Sequence, residues 1–153
     1  MNQGFLGTQA PLSVDIVLLL EIAMGAGLVA GAWLARVKRF QQHAWCQSII
    51  VLLNLAIIGL TMAPSLRAQV LPRIPAKLSM TYFALATAHA ALGSITEVAA
   101  LYVLLGVGTR LLPERLRITR YKPWMRTVLA LWWAVLLLGF ATYARWYIPT
   151  LFR

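Results

Sequence analysis

An all-α integral membrane bundle of four transmembrane helices is the fold that this 153-residue chain predicts, and three observations lead there. Hydrophobic residues make up 61% of the sequence and charged residues only 12%, far from the balance of a water-soluble domain. Four stretches stay apolar for roughly 20 residues or more, the length a helix needs to cross a hydrocarbon layer. The 14 Lys and Arg outnumber the 4 Asp and Glu and gather in the connections and at the helix ends. The spans fill the chain, so residues 1–153 are expected to form one transmembrane domain.

The first span runs from about Val14 to Ala35, and the second from about Ala44 to Ala63, where Pro64 is expected to stop it. The third follows the Pro72 to Pro75 turn and covers about Leu78 to Thr109, long enough to tilt. The fourth covers about Trp124 to Tyr147 and has no charge at its middle. Residues 1–13 hold no Lys or Arg, so the basic start of a cleaved signal peptide is missing and the first span is expected to remain. Cys46 is the only cysteine, which excludes an intramolecular disulfide and a cysteine metal cage.

Charge sets the expected orientation. The 1–2 connection holds Arg36, Lys38 and Arg39, and the 3–4 connection holds Arg110, Arg115, Arg117, Arg120, Lys122 and Arg126. The other side has Arg67, Arg73, Lys77, Arg145 and Arg153. The richer side is cytoplasmic by the positive-inside rule, which places both termini on the outer, extracytoplasmic side of the cell (inner) membrane. Basic clusters so placed point to topology and lipid headgroups, not to nucleic acid. Trp124, Trp146 and Tyr147 fit interfacial anchors.

Polar residues interrupt three of the spans: Glu21, Asn54 and His89. An ionisable group in lipid costs about 3 kcal/mol on insertion scales, so Glu21 and His89 need a partner, water or a task. Counted from the outer edge at 1.5 Å per residue, they lie at roughly 11, 14 and 17 Å, one layer on three helices. A structural Glu21–His89 pair and a functional site are both open there. Asn54, Thr61 and Thr96 read first as interhelical hydrogen-bond donors. A second, inner layer is expected from Glu97, His43 and Arg126, with Glu97 paired to Arg126 and His43 solvated near the interface. On the second span His43, Gln47, Asn54 and Thr61 share a stripe; on the third Tyr82, His89, Gly93 and Thr96 share another. Ala23, Gly27 and Gly31 give the first span a small-residue face suited to close helix approach.

A haem held by both His43 and His89 is disfavoured, because they differ in depth by roughly 15 to 20 Å. His89 is the best single metal-ligand candidate; a methionine opposite it is conceivable, but Met62 lies about 100° off the polar stripe of its helix. The cofactor is otherwise undetermined. No nucleotide-binding loop, HExxH or nucleophile elbow is present, which argues against an enzyme. A transporter is disfavoured by the lack of a broken helix or inverted repeat.

The four-span layout, His43, His89 followed by Leu92, and the series Arg126, Trp132, Gly139, Tyr143 and Tyr147 resemble a bacterial four-helix membrane family whose members are associated with maturation of haem-copper cytochrome c oxidase. Members typically carry four histidines. Only His43 and His89 correspond here, with Met62 to Ser65 and Tyr121 where the other two would stand. The resemblance implies a noncatalytic accessory subunit or assembly factor of a respiratory complex, partnered by its other membrane subunits, which is the preferred reading. The alternative is a protein whose Glu21, Asn54 and His89 bind haem, quinone or metal, or conduct protons.

Overall fold

The computed structural model describes residues 4–109, 111–118 and 120–148; Arg110 and Arg153 of the orientation argument lie outside them. Among the described residues the secondary structure is helical apart from turns. Four helices are long and apolar enough to cross a membrane: α1 (Leu12–Arg36), α2 (Phe40–Arg73), α3 (Thr81–Gly108) and α4 (Tyr121–Tyr147). They alternate in direction. One end of the bundle, the terminal end, holds the chain's first and last described residues and the α2–α3 turn. The other, basic end holds the α1–α2 and α3–α4 connections.

The α1–α2 turn is three residues long and closes with a Schellman arrangement. Lys38 takes a left-handed conformation (φ 61°), its N–H donates to Ala35 O, and the N–H of Arg39 donates back to Leu34 O at 2.9 Å. Two of the last carbonyls of α1 are thereby satisfied without water. Helix α4 begins at Tyr121, earlier than the expected Trp124, with Pro123 in its first turn. Proline is tolerated there because first-turn N–H groups have no intrahelical acceptor.

Helix α2 departs most from expectation. Pro64 does not end it; the chain stays helical to Arg73 through π-helical turns at Ile58–Met62 and Leu66–Val70 on either side of Ala63–Ser65. Proline deprives the turn before it of one N–H, and wider turns redistribute the remaining bonds instead of breaking the helix. Thr61 Oγ1 also donates to Ile57 O at 2.7 Å, giving that turn a side-chain bond.

The helices pack as two antiparallel pairs, α1 with α2 and α3 with α4. The main apolar core joins the pairs through Met24, Leu28, Ile50, Ala100, Trp132 and Leu136. Nearer the basic end, α1 and α2 touch along small residues: Cys46 Sγ donates to Gly27 O at 3.4 Å, and His43 Nδ1 bonds Gly31 O at 2.8 Å. A Cβ on Gly27 would stand 2.9 Å from Ile50 Cδ1, and one on Gly31 would collide with Gln47 Nε2, so a side chain at either position would have to displace the end of the α2 residue seated on it. Toward the terminal end α2 leaves α1 and leans on α3, where Val70 is buried with Phe83 and Ala86.

Candidate functional site

The divergence of α1 from α2 opens a cavity of about 540 Å³ between the four helices. Its walls are mostly apolar. Glu21 from α1, Asn54 from α2 and His89 from α3 all line it, together with Gly139 of α4. Three polar residues far apart in sequence therefore share one interior. The cavity also reaches Leu60, whose side chain is 79% exposed, so it opens sideways onto the apolar flank of the bundle.

Gly139 sets the spacing at the centre. A Cβ there would lie 2.9 Å from Glu21 Oε2 and 3.1 Å from His89 Cε1, so both side chains press toward the bare backbone of α4. No hydrogen bond or ion pair joins them, and the structural Glu21–His89 pair allowed by the sequence is not formed. His89 instead uses Nδ1 on the carbonyl of Val135 at 3.1 Å. A carbonyl only accepts, so Nδ1 carries the proton, and a neutral ring presents Nε2 to the cavity as an acceptor. Glu21 is 6% exposed, and among the described residues nothing hydrogen-bonds its carboxyl group. A buried polar group without a protein partner is costly unless something else satisfies it.

Asn54 joins the two layers that depth counting separates. Its Nδ2 donates to Glu97 Oε2 at 2.8 Å across the α2–α3 contact, leaving Oδ1 for the cavity. Glu97 is thus held by Asn54 and not by Arg126, which is exposed near the start of α4. The second oxygen, Glu97 Oε1, is buried and has no partner among the described residues. His43 belongs to neither group: its bond to Gly31 makes it part of the α1–α2 contact. The proposed inner cluster of Glu97, His43 and Arg126 is therefore dispersed, because α2 meets α3 through Asn54 and meets α1 through His43.

Met62 corrects another expectation. Ideal α-helical phase turns it away from the polar stripe, whereas the π-helical turn advances each residue by a smaller angle, and Met62 lines the cavity beside Thr61. Among the described residues no group of three or more His, Cys, Asp and Glu converges. A second groove, of about 370 Å³, lies between α1 and α4 near the basic end; Arg36 is its only charged lining residue.

The residue that sequence reading passed over is Asp15. It is fully buried (0% exposed) in the first turn of α1. Its Oδ1 accepts from Tyr143 Oη at 2.8 Å, and its Oδ2 accepts from the N–H of Leu6 at 3.1 Å. Since Tyr143 spends its proton on Asp15, Thr8 Oγ1 donates to Tyr143 at 2.8 Å and accepts from the N–H of Ala10 at 3.3 Å. Gln9 N–H reaches Tyr147 O at 3.4 Å. Residues 4–11 are thereby strapped across the terminal end of the cavity, where Pro11, Tyr143 and Tyr147 are among its lining. Trp146, expected as an interfacial anchor, stacks on Tyr82 at 4.4 Å between ring centroids and donates Nε1 to Tyr82 O at 3.2 Å.

Comparison with known proteins gives no relative: no family model, curated protein or solved structure matches the chain.

Proposed function

We propose that this chain is a noncatalytic multi-pass protein of the cell (inner) membrane, both termini outward, that holds a small lipid-soluble molecule between its helices. The observation that carries the reading is the single cavity lined by Glu21, Asn54 and His89, polar groups with unused hydrogen-bonding atoms in apolar walls. Few, convergent polar groups in an apolar cavity of this size are what a small-molecule site offers. The opening at Leu60 gives such a molecule a route from the hydrocarbon layer.

Purification in mild detergent followed by organic extraction and mass spectrometry tests the reading. One species enriched over bulk lipid, and lost in Gly139→Leu, is the expected result. Identical extracts from both proteins would overturn it. A Soret band that disappears in His89→Ala would identify the species as haem. Reporter fusions to the α1–α2 turn and to the C-terminus test the orientation: the turn should report cytoplasm and the C-terminus the opposite side.

The resemblance to the oxidase-maturation family supports a setting for this binding, that of an accessory subunit or assembly factor in a respiratory or other electron-transfer complex. Respiratory subunits copurifying with the intact chain would support that setting.

A further inference from the structure

The groove between α1 and α4 near the basic end shares no lining residue with the cavity between the four helices. Val29, Ala32 and Trp33 line it from α1, and Leu129 and Trp133 from α4. Val29 is 57% exposed and Trp33 55%, so the groove faces outward from the bundle. Val29, Trp33 and Arg36 fall within about 60° of one another on α1, as do Arg126, Leu129 and Trp133 on α4, one face of each helix. The two helices run antiparallel, with Glu21 beside Gly139 and Gly25 against Leu136. Carried on toward the basic end, that register sets Arg36 level with Arg126. Both arginines are exposed, and neither has a hydrogen bond or ion pair among the described residues. The chain has little countercharge to offer them: of its four acidic residues, Asp15, Glu21 and Glu97 are buried, and Glu114 alone is exposed. A second copy related by a two-fold axis would lay two more arginines against these two, which disfavours a dimer through this face.

We propose that this groove binds one anionic phospholipid from the leaflet at the basic end, its phosphate between Arg36 and Arg126 and an acyl chain along Trp33, Val29 and Trp133. Basic residues at the mouth of an apolar groove between membrane helices match both parts of such a molecule. Arginine suits the phosphate because its planar fork gives two parallel N–H bonds to the oxygens. Trp33 stands roughly 4.5 Å deeper than Arg36, and its indole N–H is a donor for the ester carbonyls below the headgroup. The small side chain of Ala32 keeps the wall open between them. Free phosphate would use only the arginines and leave the apolar walls uncovered.

The test uses the full chain in a non-ionic detergent, titrated with phosphatidylglycerol or with phosphatidylcholine of the same acyl chains, bound lipids being counted by native mass spectrometry. The first phosphatidylglycerol should bind roughly 25-fold tighter than the first phosphatidylcholine, about fivefold for each arginine. Arg36→Gln combined with Arg126→Gln should reduce that ratio to about twofold or less. Arg115→Gln combined with Arg120→Gln removes the same charge from the same end but outside the groove, and should leave the ratio within about twofold of the wild type. All four arginines are exposed, so these variants keep the fold. Ala32→Phe fills the groove and should remove the preference with both arginines in place, and excess glycerol phosphate should not displace the lipid. Equal affinities for the two lipids would overturn the proposal, as would an equal loss in the control pair or a preference that survives Ala32→Phe. Displacement by glycerol phosphate would also overturn it, marking a site for the phosphate alone. Binding of neither lipid would do the same, and a chain that then runs as a dimer would give the groove to a second copy.

Discussion

The two halves of the bundle are built on opposite principles. Near the basic end α1 and α2 meet backbone to side chain, with Gly27 and Gly31 admitting Ile50 and Gln47, and the three-residue turn leaves no slack. Near the terminal end the same helices part, and the space between them is walled by apolar residues but holds Glu21, Asn54 and His89. Close packing and an internal cavity coexist because α2 is not a uniform rod. Its α-helical part follows α1; beyond Ile57 its π-helical turns carry it toward α3. The tight half fixes where the helices start, and the irregular half decides how far they separate.

The largest way to break this contrast is to fill the tight half. Gly31→Leu should force α1 from α2 at Gln47 and Cys46 and cost about 3 kcal/mol, seen as lower unfolding temperature in detergent. Asn54→Leu removes the donor to Glu97 and should cost about 2 kcal/mol by the same measurement, since the carboxylate is then buried without any partner. Adding Glu97→Leu to Asn54→Leu should recover most of that loss, because both polar groups are then gone. If the double variant is no more stable than the single, the Asn54–Glu97 bond is not what holds them. Tyr143→Phe should cost about 1 kcal/mol, and its main effect should be faster hydrogen exchange at Leu6 and Ala10, whose N–H groups depend on the strap. The smallest stability effect is expected at Gly139→Ala, below about 1 kcal/mol because the cavity can absorb a methyl, with ligand affinity falling severalfold. An equally large thermal loss at Gly139 and Gly31 would remove the distinction between the halves.

The sequence is most informative where hydropathy and phase act alone. Four spans follow from apolar length, and Glu21, Asn54 and His89, which depth counting puts in one layer, are all found along the wall of one cavity. Depth fails for Glu97, because counting residues along separate helices ignores the reach of two side chains across the α2–α3 contact; Asn54 spans the gap. Proline rules fail at Pro64 because a π-helical turn is a tertiary accommodation with no residue signature of its own. That same turn moves Met62 into the cavity. Asp15 escapes notice because it stands at the margin of an apolar run, where an acidic residue in a first helical turn looks like ordinary dipole compensation. Its burial depends on Tyr143, 128 residues away, and no local pattern predicts that bond.

The Asp15–Tyr143 bond also bears on the order of assembly. Asp15 enters the membrane with the first helix, while the hydroxyl that satisfies it arrives on the last. Until α4 is inserted the carboxylate has no such partner, and residues 4–11 lack the bonds of Thr8 to Tyr143 and of Gln9 to Tyr147. The strap is thus a clasp that only the finished chain can fasten, and a chain truncated before Tyr143 would leave the terminal end of its cavity open.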